Sequence, residues 1–289
     1  MTSRRSWIPW YAKIAAKLVL SRLPVSYRIW SKLNLFAHGA MHKPDYAYGV
    51  FRQHFERSHF SRKEGGFVAL EFGPGDSLLS AIVSAAHGAR GCYLVDAGFF
   101  ATEDLTAYRD MVGYLRLRNL PAPVMDKVSN LAGVLESCNA VYGTQGLRSL
   151  RDIPSESVDF VWSQAVLEHI RRHEFLDTMR ELRRVLRSDG ICSHRIDLKD
   201  HLGGALNNMR FATHMWESDW MARSGFYTNR LRYSEMIELF RQAGFAVEVV
   251  ATSRWYAVPT PRISMAKEFS GLSYEDLLVK EFDALLRPA

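Results

Sequence analysis

Apolar positions along the chain change their spacing several times, and each change marks an expected element. Residues 67–72 form a short, nearly continuous apolar run stopped by Gly73-Pro74-Gly75, which predicts a buried strand and a tight turn. Between Ser77 and His87, the residues Leu78, Leu79, Ile82, Val83 and Ala86 recur at helical spacing, and residues 91–96 are apolar again. Strand, glycine turn, helix and strand in this order predict a βαβ unit with a parallel pair.

The alternation continues downstream. Residues 102–140 read as helical with a break at Pro121-Ala122-Pro123, and residues 140–142 as a third strand. Residues 157–162 predict a fourth strand, residues 166–172 a helix, and residues 174–186 a strongly periodic helix closed by Ser188-Asp189-Gly190. A half-polar fifth strand is expected over 191–198, a helix over 234–243 ended by Gly244, a sixth strand over 246–251 and a last strand over 282–286. The sum is an α/β architecture without internal repeats.

The N-terminal segment has a different pattern. From Trp7, the residues Tyr11, Ile14 and Leu18 follow helical spacing, with Pro9 in the first turn and Lys13 and Lys17 one turn apart. This amphipathic stretch is too short and too charged to span a bilayer, and lacks the cleavage pattern of a signal peptide. Two readings stand: a helix packed on the protein's own core, or an interfacial anchor over residues 7–22 with Trp7 and Trp10 at headgroup level.

Charge sharpens that contrast. The net charge is +6, yet residues 1–63 carry twelve Lys and Arg against only Asp45 and Glu56, so the remaining chain is net acidic. A basic arm of this kind suits an anionic surface, either phospholipid or nucleic acid. With 289 residues, 47% hydrophobic and 24% charged, the chain has ample material for a core, which excludes disordered and collagen-like classes. Its three cysteines, Cys92, Cys138 and Cys192, form no CxxC pair, which disfavours a zinc knuckle and suits a reducing compartment.

The most specific chemical signal is Glu71-Phe-Gly73-Pro-Gly75-Asp-Ser77, between a strand and a helix. Two glycines let backbone approach a ligand closely, and the following helix presents N–H groups. Leu78 stands where the dinucleotide fingerprint needs a third glycine, and no Lys-Ser/Thr pair makes a P-loop. An acid two residues before the first glycine repels a pyrophosphate but suits an ammonium. Asp96, at the end of the second strand, lies where a carboxylate accepts bonds from both ribose hydroxyls of a nucleoside. A cationic ligand containing adenosine and lacking a pyrophosphate points to S-adenosylmethionine.

Four segments in order carry a family resemblance: Glu71-Phe-Gly-Pro-Gly75; Leu94-Val-Asp96; Ser157-Val-Asp-Phe-Val161 with Ala165-Val-Leu-Glu-His-Ile170; and Glu181-Leu-Arg-Arg-Val-Leu-Arg-Ser-Asp-Gly190. Over roughly residues 65–198 the chain resembles class I S-adenosylmethionine-dependent methyltransferases, most of all their small-molecule branch. The resemblance implies a Rossmann-like fold, with a seven-stranded, mostly parallel sheet, helices on both faces and an antiparallel last strand. It also implies that Glu71, Gly73 and Gly75 line the methionine part of the cofactor and that Asp96, with Ala97 beside it, takes the ribose. Many relatives carry Gly-Asp after the third strand; here Gly143-Thr144-Gln145 stands there, leaving Thr144 or Gln145 to meet the adenine, with Ser163 also assigned to the cofactor side. The organisation expected is a basic helical extension over 1–63 and a methyltransferase domain over 64–289, with helical insertions near 110–140 and 200–232.

Methyl transfer needs alignment of donor and acceptor, and a hydroxyl acceptor gains from a general base. His169, at the edge of the fourth strand, is one candidate, and a helix residue bonded to backbone is its rival reading. Ala165 replaces the first acid of the Glu-x-x-Glu-His arrangement that holds a divalent metal in some relatives, so no metal is expected. His201, oriented by Asp200 or Asp197, is the preferred base. His194 and Arg195 in a central strand suggest either a purpose or a buried ion pair. The segment carrying Trp216, Trp220, Tyr227, Arg230 and Arg232 reads as a substrate lid, or else as subdomain core with a solvated basic face.

The edge of the fourth strand reads Trp162-Ser-Gln-Ala165, not the Asn/Asp-Pro-Pro-aromatic pattern of base amino-methylation, which ranks RNA or DNA below a small molecule or glycan as acceptor. The expected function is methylation of a small-molecule or glycan hydroxyl in the cytoplasm, with contact to the inner face of the membrane if the acceptor is lipid-linked. The alternatives are a cofactor-binding or membrane-docked partner without turnover, or an RNA methyltransferase.

Overall fold

The computed structural model describes residues 11, 12, 14, 40–60 and 65–289. Helix α1 (Pro44–Arg57) leads into a domain whose elements run β1 (Phe67–Phe72), α2 (Leu79–Ala86), β2 (Ala89–Val95), α3 (Leu105–Arg116), α4 (Leu131–Ser137), β3 (Ala140–Gly143), α5 (Leu147–Arg151) and β4 (Val158–Gln164). They continue with α6 (Phe175–Val185), β5 (Leu186–Asp197), α7 (Thr213–Trp216), α8 (Asp219–Ala222), α9 (Tyr233–Gln242), β6 (Phe245–Arg254), α10 (Tyr274–Leu278) and β7 (Val279–Pro288).

The seven strands pair in the order β3-β2-β1-β4-β5-β7-β6. The pairs from β3 to β5 are parallel, and β7 runs antiparallel to both neighbours. This is the seven-stranded, mostly parallel sheet that the resemblance implies. Its near-continuous apolar strands follow from cover on both faces. On one face Phe67, Ala69 and Phe160 pack under α1, α2 and α3; on the other, Leu70, Val161 and Cys192 pack under α6 and α9. Helix α6 shows how the pattern becomes packing. Its buried residues Phe175, Thr178, Met179, Leu182 and Val185 form one stripe, and Asp177 and Arg180 pair on its exposed side.

Buried polar groups tie α1 to the sheet. His54 donates through Nε2 to Gln164 Oε1 at 2.9 Å and meets Ser193 Oγ through Nδ1 at 2.8 Å. Burial pushes this imidazole down to about 4. On β5, His194 shares a 2.7 Å hydrogen bond with Ser163 and is pushed down by burial to about 3. Arg195 pairs with Glu281 at 3.0 Å and lies 3.8 Å from Asp283, which Arg57 also reaches at 3.0 Å. Of the polar residues on β5, Arg195 therefore serves cross-strand ion pairing with β7, while Ser193 and His194 bond to α1 and β4.

Two expectations change. The segment 166–172 is not a helix but two 3-10 turns, Leu167–His169 and Arg172–Glu174. Ala165 sits at φ 54° and Ile170 is extended, while Asn229 Nδ2 takes the carbonyls of Leu167 and Ile170 at 2.8 and 3.1 Å, bonds a helix would need for itself. The last strand is also longer than the apolar core of its sequence suggests, because pairing with β6 extends from Val279 to Pro288.

Most of the N-terminal segment, with the expected membrane anchor over 7–22, lies outside the described residues. Of those described, Ile14 is buried with Leu202, Trp216, Met221, Phe226 and Tyr227. Among the described residues no helix is long and apolar enough to cross a membrane.

Candidate active site

The strands β1 and β4 are neighbours, but the chain leaves β1 for α2 on one face and β4 for α6 on the other. Open parallel sheets take ligands in the crevice that such a divergence creates at the strands' C-terminal ends. The turn after β1 lies there. Gly73 and Gly75 hold φ of 80° and 68°, the left-handed region that favours glycine. A Cβ on Gly73 would stand 2.4 and 2.5 Å from the Val166 methyls, so the connection after β4 seats directly on this glycine.

Asp96 organises the crevice. Its Oδ2 accepts from Gly75 N at 2.9 Å and its Oδ1 from Ala97 N at 2.7 Å. Its backbone N–H donates to Gly143 O, and its carbonyl accepts from Gly146 N, both at 2.8 Å. The loops after β1, β2 and β3 are thus laced around one residue, which brings Gly73, Gly75, Asp96, Ala97, Thr144 and Gln145 to one edge of the sheet. Glu71 is buried at the end of β1, and its carboxylate accepts from Ser80 Oγ on α2. Burial raises Glu71 to about 8 despite the Ser80 bond, and the charge of Asp96 pushes the same way.

These residues fit S-adenosylmethionine. Gly73 and Gly75 hold backbone open to a ligand, Asp96 stands where a ribose needs acceptors, and the stretch 71–79 contains two acids and no base. The absence of a base and the carboxylates of Asp76 and Asp96 make the turn hostile to a pyrophosphate and suited to an ammonium or sulfonium, whereas buried Glu71, raised to about 8, keeps its proton at neutral pH. Ser163 is placed differently from expectation: it is fully buried and bonded to His194, so its hydroxyl serves the β4–β5 interface.

On the acceptor side the rings of His169 and His201 lie 4.8 Å apart. His169 Nδ1 donates to the Tyr227 carbonyl at 2.9 Å, so in the neutral ring the lone pair falls on Nε2. Asp200, expected to orient His201, spends its carboxylate on the backbone. Its carboxylate accepts from the backbone N–H groups of Leu202, Gly203, Ala205 and Asn207 and closes the turn that begins the lid. Asp197 instead pairs with Lys199 at 3.1 Å.

The lid segment is more of a core than its composition suggests. Trp216 is fully buried, donates through Nε1 to Thr228 O at 2.7 Å and packs among Phe211, Phe226 and Tyr227, so it offers no face to a ligand. Arg232 is buried, spending its guanidinium on the carbonyls of Leu198, Asp276 and Val279. Arg230 donates to Phe211 O at 2.6 Å and Thr213 Oγ1 at 3.1 Å. Tyr227 donates its hydroxyl to Glu217 at 2.8 Å, whereas Trp220 is exposed. Buried guanidinium groups whose partners are backbone carbonyls brace a loop, and no sequence period reports such partners.

Three roles here lie beyond the sequence pattern. Val166 caps Gly73, Asn229 clamps the turn after β4, and Glu168, weighed from sequence only as half of a metal site, is buried with no well-formed hydrogen bond to its carboxylate oxygens among the described residues. Asn229 stands 59–62 residues from its partners, beyond the reach of any local pattern.

Residues 124–193 match the family model of a methyltransferase domain, a span that contains β3 and β4 and enters β5 but not the glycine turn or Asp96. No curated protein matches the chain. Among solved structures, the 1,6-didemethyltoxoflavin N1-methyltransferase of Burkholderia thailandensis, crystallised with its namesake and S-adenosylhomocysteine, is 14% identical, with 100% of this chain and 93% of that one covered and a TM-score of 0.46. The YcgJ protein of Bacillus subtilis is 13% identical over 85% of this chain and 99% of its own, at a TM-score of 0.43. An S-adenosylmethionine-dependent methyltransferase of Archaeoglobus fulgidus is 9% identical over 84% and 94%, at 0.43. With its sheet order and antiparallel seventh strand, the chain has the fold that the resemblance to class I S-adenosylmethionine-dependent methyltransferases implies, and residues 124–193 of it match a methyltransferase domain.

Proposed function

We propose that the enzyme methylates a hydroxyl of a small molecule or glycan, with Glu71, Gly73, Gly75, Asp96, Ala97, Thr144 and Gln145 forming the cofactor side. The observation that carries the acceptor side is the His169–His201 pair, three residues beyond the Val166 that touches the glycine turn. The cofactor supplies the activated methyl group, so the protein's work is alignment and proton removal. An uncharged hydroxyl is a weak nucleophile, and an imidazole that accepts its proton as the new bond forms makes the displacement accessible. His169 is fixed by the Tyr227 carbonyl through Nδ1, and the exposed ring of His201 lies 4.8 Å from its ring, so the two imidazoles together are the proposed base.

The test is transfer of labelled methyl from S-adenosylmethionine to a panel of alcohols and glycosides. His169→Ala or His201→Ala is expected to lower turnover by roughly 10²- to 10⁴-fold while S-adenosylhomocysteine still binds. Undiminished turnover in both variants contradicts the assignment.

The basic arm supports a place at the inner face of the membrane, with residues 7–22 against anionic lipid. Ile14, buried in the lid cluster, favours packing against the protein at that position. Sedimentation with anionic liposomes, with and without residues 1–24, distinguishes the two: docking requires that the deletion release the protein from the pellet.

A further inference from the structure

Beneath the lid the chain encloses a second polar space, walled by Glu168, Asp197, Asn208, Arg230 and Arg232 among others. Its volume of about 10 Å³ has room for one water-sized group. Glu168, Asn208, Arg230 and Arg232 are 2, 2, 4 and 1% exposed. Among the described residues, five of their polar atoms are buried without a well-formed hydrogen bond: Asn208 Oδ1, Arg230 Nε, Arg232 Nε, and Glu168 Oε1 and Oε2, which have only the backbone N–H groups of Glu168 and Asp197 nearby. Buried polar atoms are almost always satisfied, so five on the wall of one small space mark a place built for a missing group.

The chemistry of the wall selects that group. Three of the five atoms are oxygens and two are N–H donors. An ammonium brings donors only and meets two guanidinium groups, while a carboxylate or phosphate brings acceptors only and meets Glu168 and Asp197. A hydroxyl is donor and acceptor in one atom, and one oxygen is what the volume admits. Burial and the neighbouring Asp197 hold the Glu168 carboxyl well above the usual carboxylate range, so it too can donate. The space is linked to the proposed base through the chain: Glu168, on its wall, and His169 share one 3-10 turn, pinned to the lid where Asn229 N donates to Glu168 O at 2.7 Å.

We propose that this space is a recognition subsite for the acceptor, taking a second hydroxyl of a polyol or sugar beside the hydroxyl that is methylated. The inference rests on the proposed hydroxyl methylation and adds the acceptor's class: a molecule with at least two hydroxyls, one of them not methylated. The rival occupant is a buried water.

The full chain is assayed with labelled S-adenosylmethionine against methyl hexopyranosides and their singly deoxygenated forms. In the wild-type chain, removal of the recognised hydroxyl is expected to raise KM by about tenfold or more, because it leaves buried groups unpaired. In Glu168→Gln that penalty is expected to fall to less than about threefold, since the carboxyl that reads the hydroxyl is gone. The inference is overturned if no deoxygenated form is discriminated by the wild-type chain, which leaves only a buried water in the space, or if the penalty is unchanged in Glu168→Gln. It is also overturned if methyl passes only to amines, or to no glycoside while S-adenosylhomocysteine binds. Absence of S-adenosylhomocysteine binding, by contrast, fails the cofactor assignment itself. The deoxygenated series on the wild-type chain needs no variant to fold.

Discussion

Replacing Gly73 with Ala lowers the thermal midpoint by roughly 5–15 °C and abolishes S-adenosylhomocysteine binding. Two effects add at this position. An alanine held at φ 80° is strained by about 1–2 kcal/mol. Its Cβ would also stand 2.4 Å from a Val166 methyl, and overpacking of this kind costs about 1–3 kcal/mol more. Relief requires the turn or the connection after β4 to move, and both line the crevice. Gly88→Ala separates the two contributions, because Gly88 has φ 90° with nothing within 4 Å of its added Cβ. Scanning calorimetry on both variants should show the smaller loss for Gly88→Ala and intact binding there. Equal losses would mean that Val166 yields without resistance.

The second large effect is on stability as a function of pH. His54 and His194 are held down to about 4 and about 3, whereas Glu71 is raised to about 8 and Glu168 is raised as well. Stability rises with pH wherever the unfolded chain binds more protons than the folded one. Below the ordinary imidazole value of 6.5 the unfolded histidines are charged and the folded ones are not, which favours unfolding as pH falls. Above the ordinary carboxyl value of 4.5 the folded Glu71 and Glu168 keep protons that the unfolded chain has released, which favours unfolding as pH rises. The contributions offset one another between 4.5 and 6.5, and above 6.5 only the carboxyls act. The ligand-free chain should therefore show a plateau of stability over that window and a fall from 6.5 to about 8. Glu71 alone costs of the order of 5 kcal/mol of stability across its full shift. Thermal unfolding of wild type and Glu71→Gln over pH 5–9 checks this: the variant should lose much of the alkaline decline, and parallel curves would contradict the buried, protonated Glu71.

Much of the frame was legible because it depends on local pattern. The apolar run 67–72 ended by two glycines is the strand β1, and the periodic stretch over 174–186 is α6 with its ends displaced by about one residue. Asp96 was legible because a strand end followed by an acid is a sequence feature, and the loops laced around it place Thr144 and Gln145 nearby. What was not legible depends on partners distant in the chain. The stretch 166–172 has helical spacing, but Asn229 takes the carbonyls a helix would use. Arg232 and Trp216 carry chemistry suited to ligand contact, yet backbone carbonyls on other loops claim both. Asp200 beside His201 resembles an orienting pair until four backbone N–H groups are found on its carboxylate. Glu168 was weighed only as half of a metal site beside His169, because no local pattern reports that its carboxyl is buried.

The central claim is that the crevice built by Glu71, Gly73, Gly75 and Asp96 holds S-adenosylmethionine. Calorimetric titration of the intact chain with S-adenosylhomocysteine, beside Asp96→Ala, tests it most directly. The expected result is one site of micromolar affinity in the wild type, lost by at least about 100-fold in the variant, because the ribose loses its acceptors and Gly75 loses the carboxylate that fixes its turn. Folded wild-type protein that takes up no S-adenosylhomocysteine, or an Asp96→Ala variant that binds it equally well, would contradict the account.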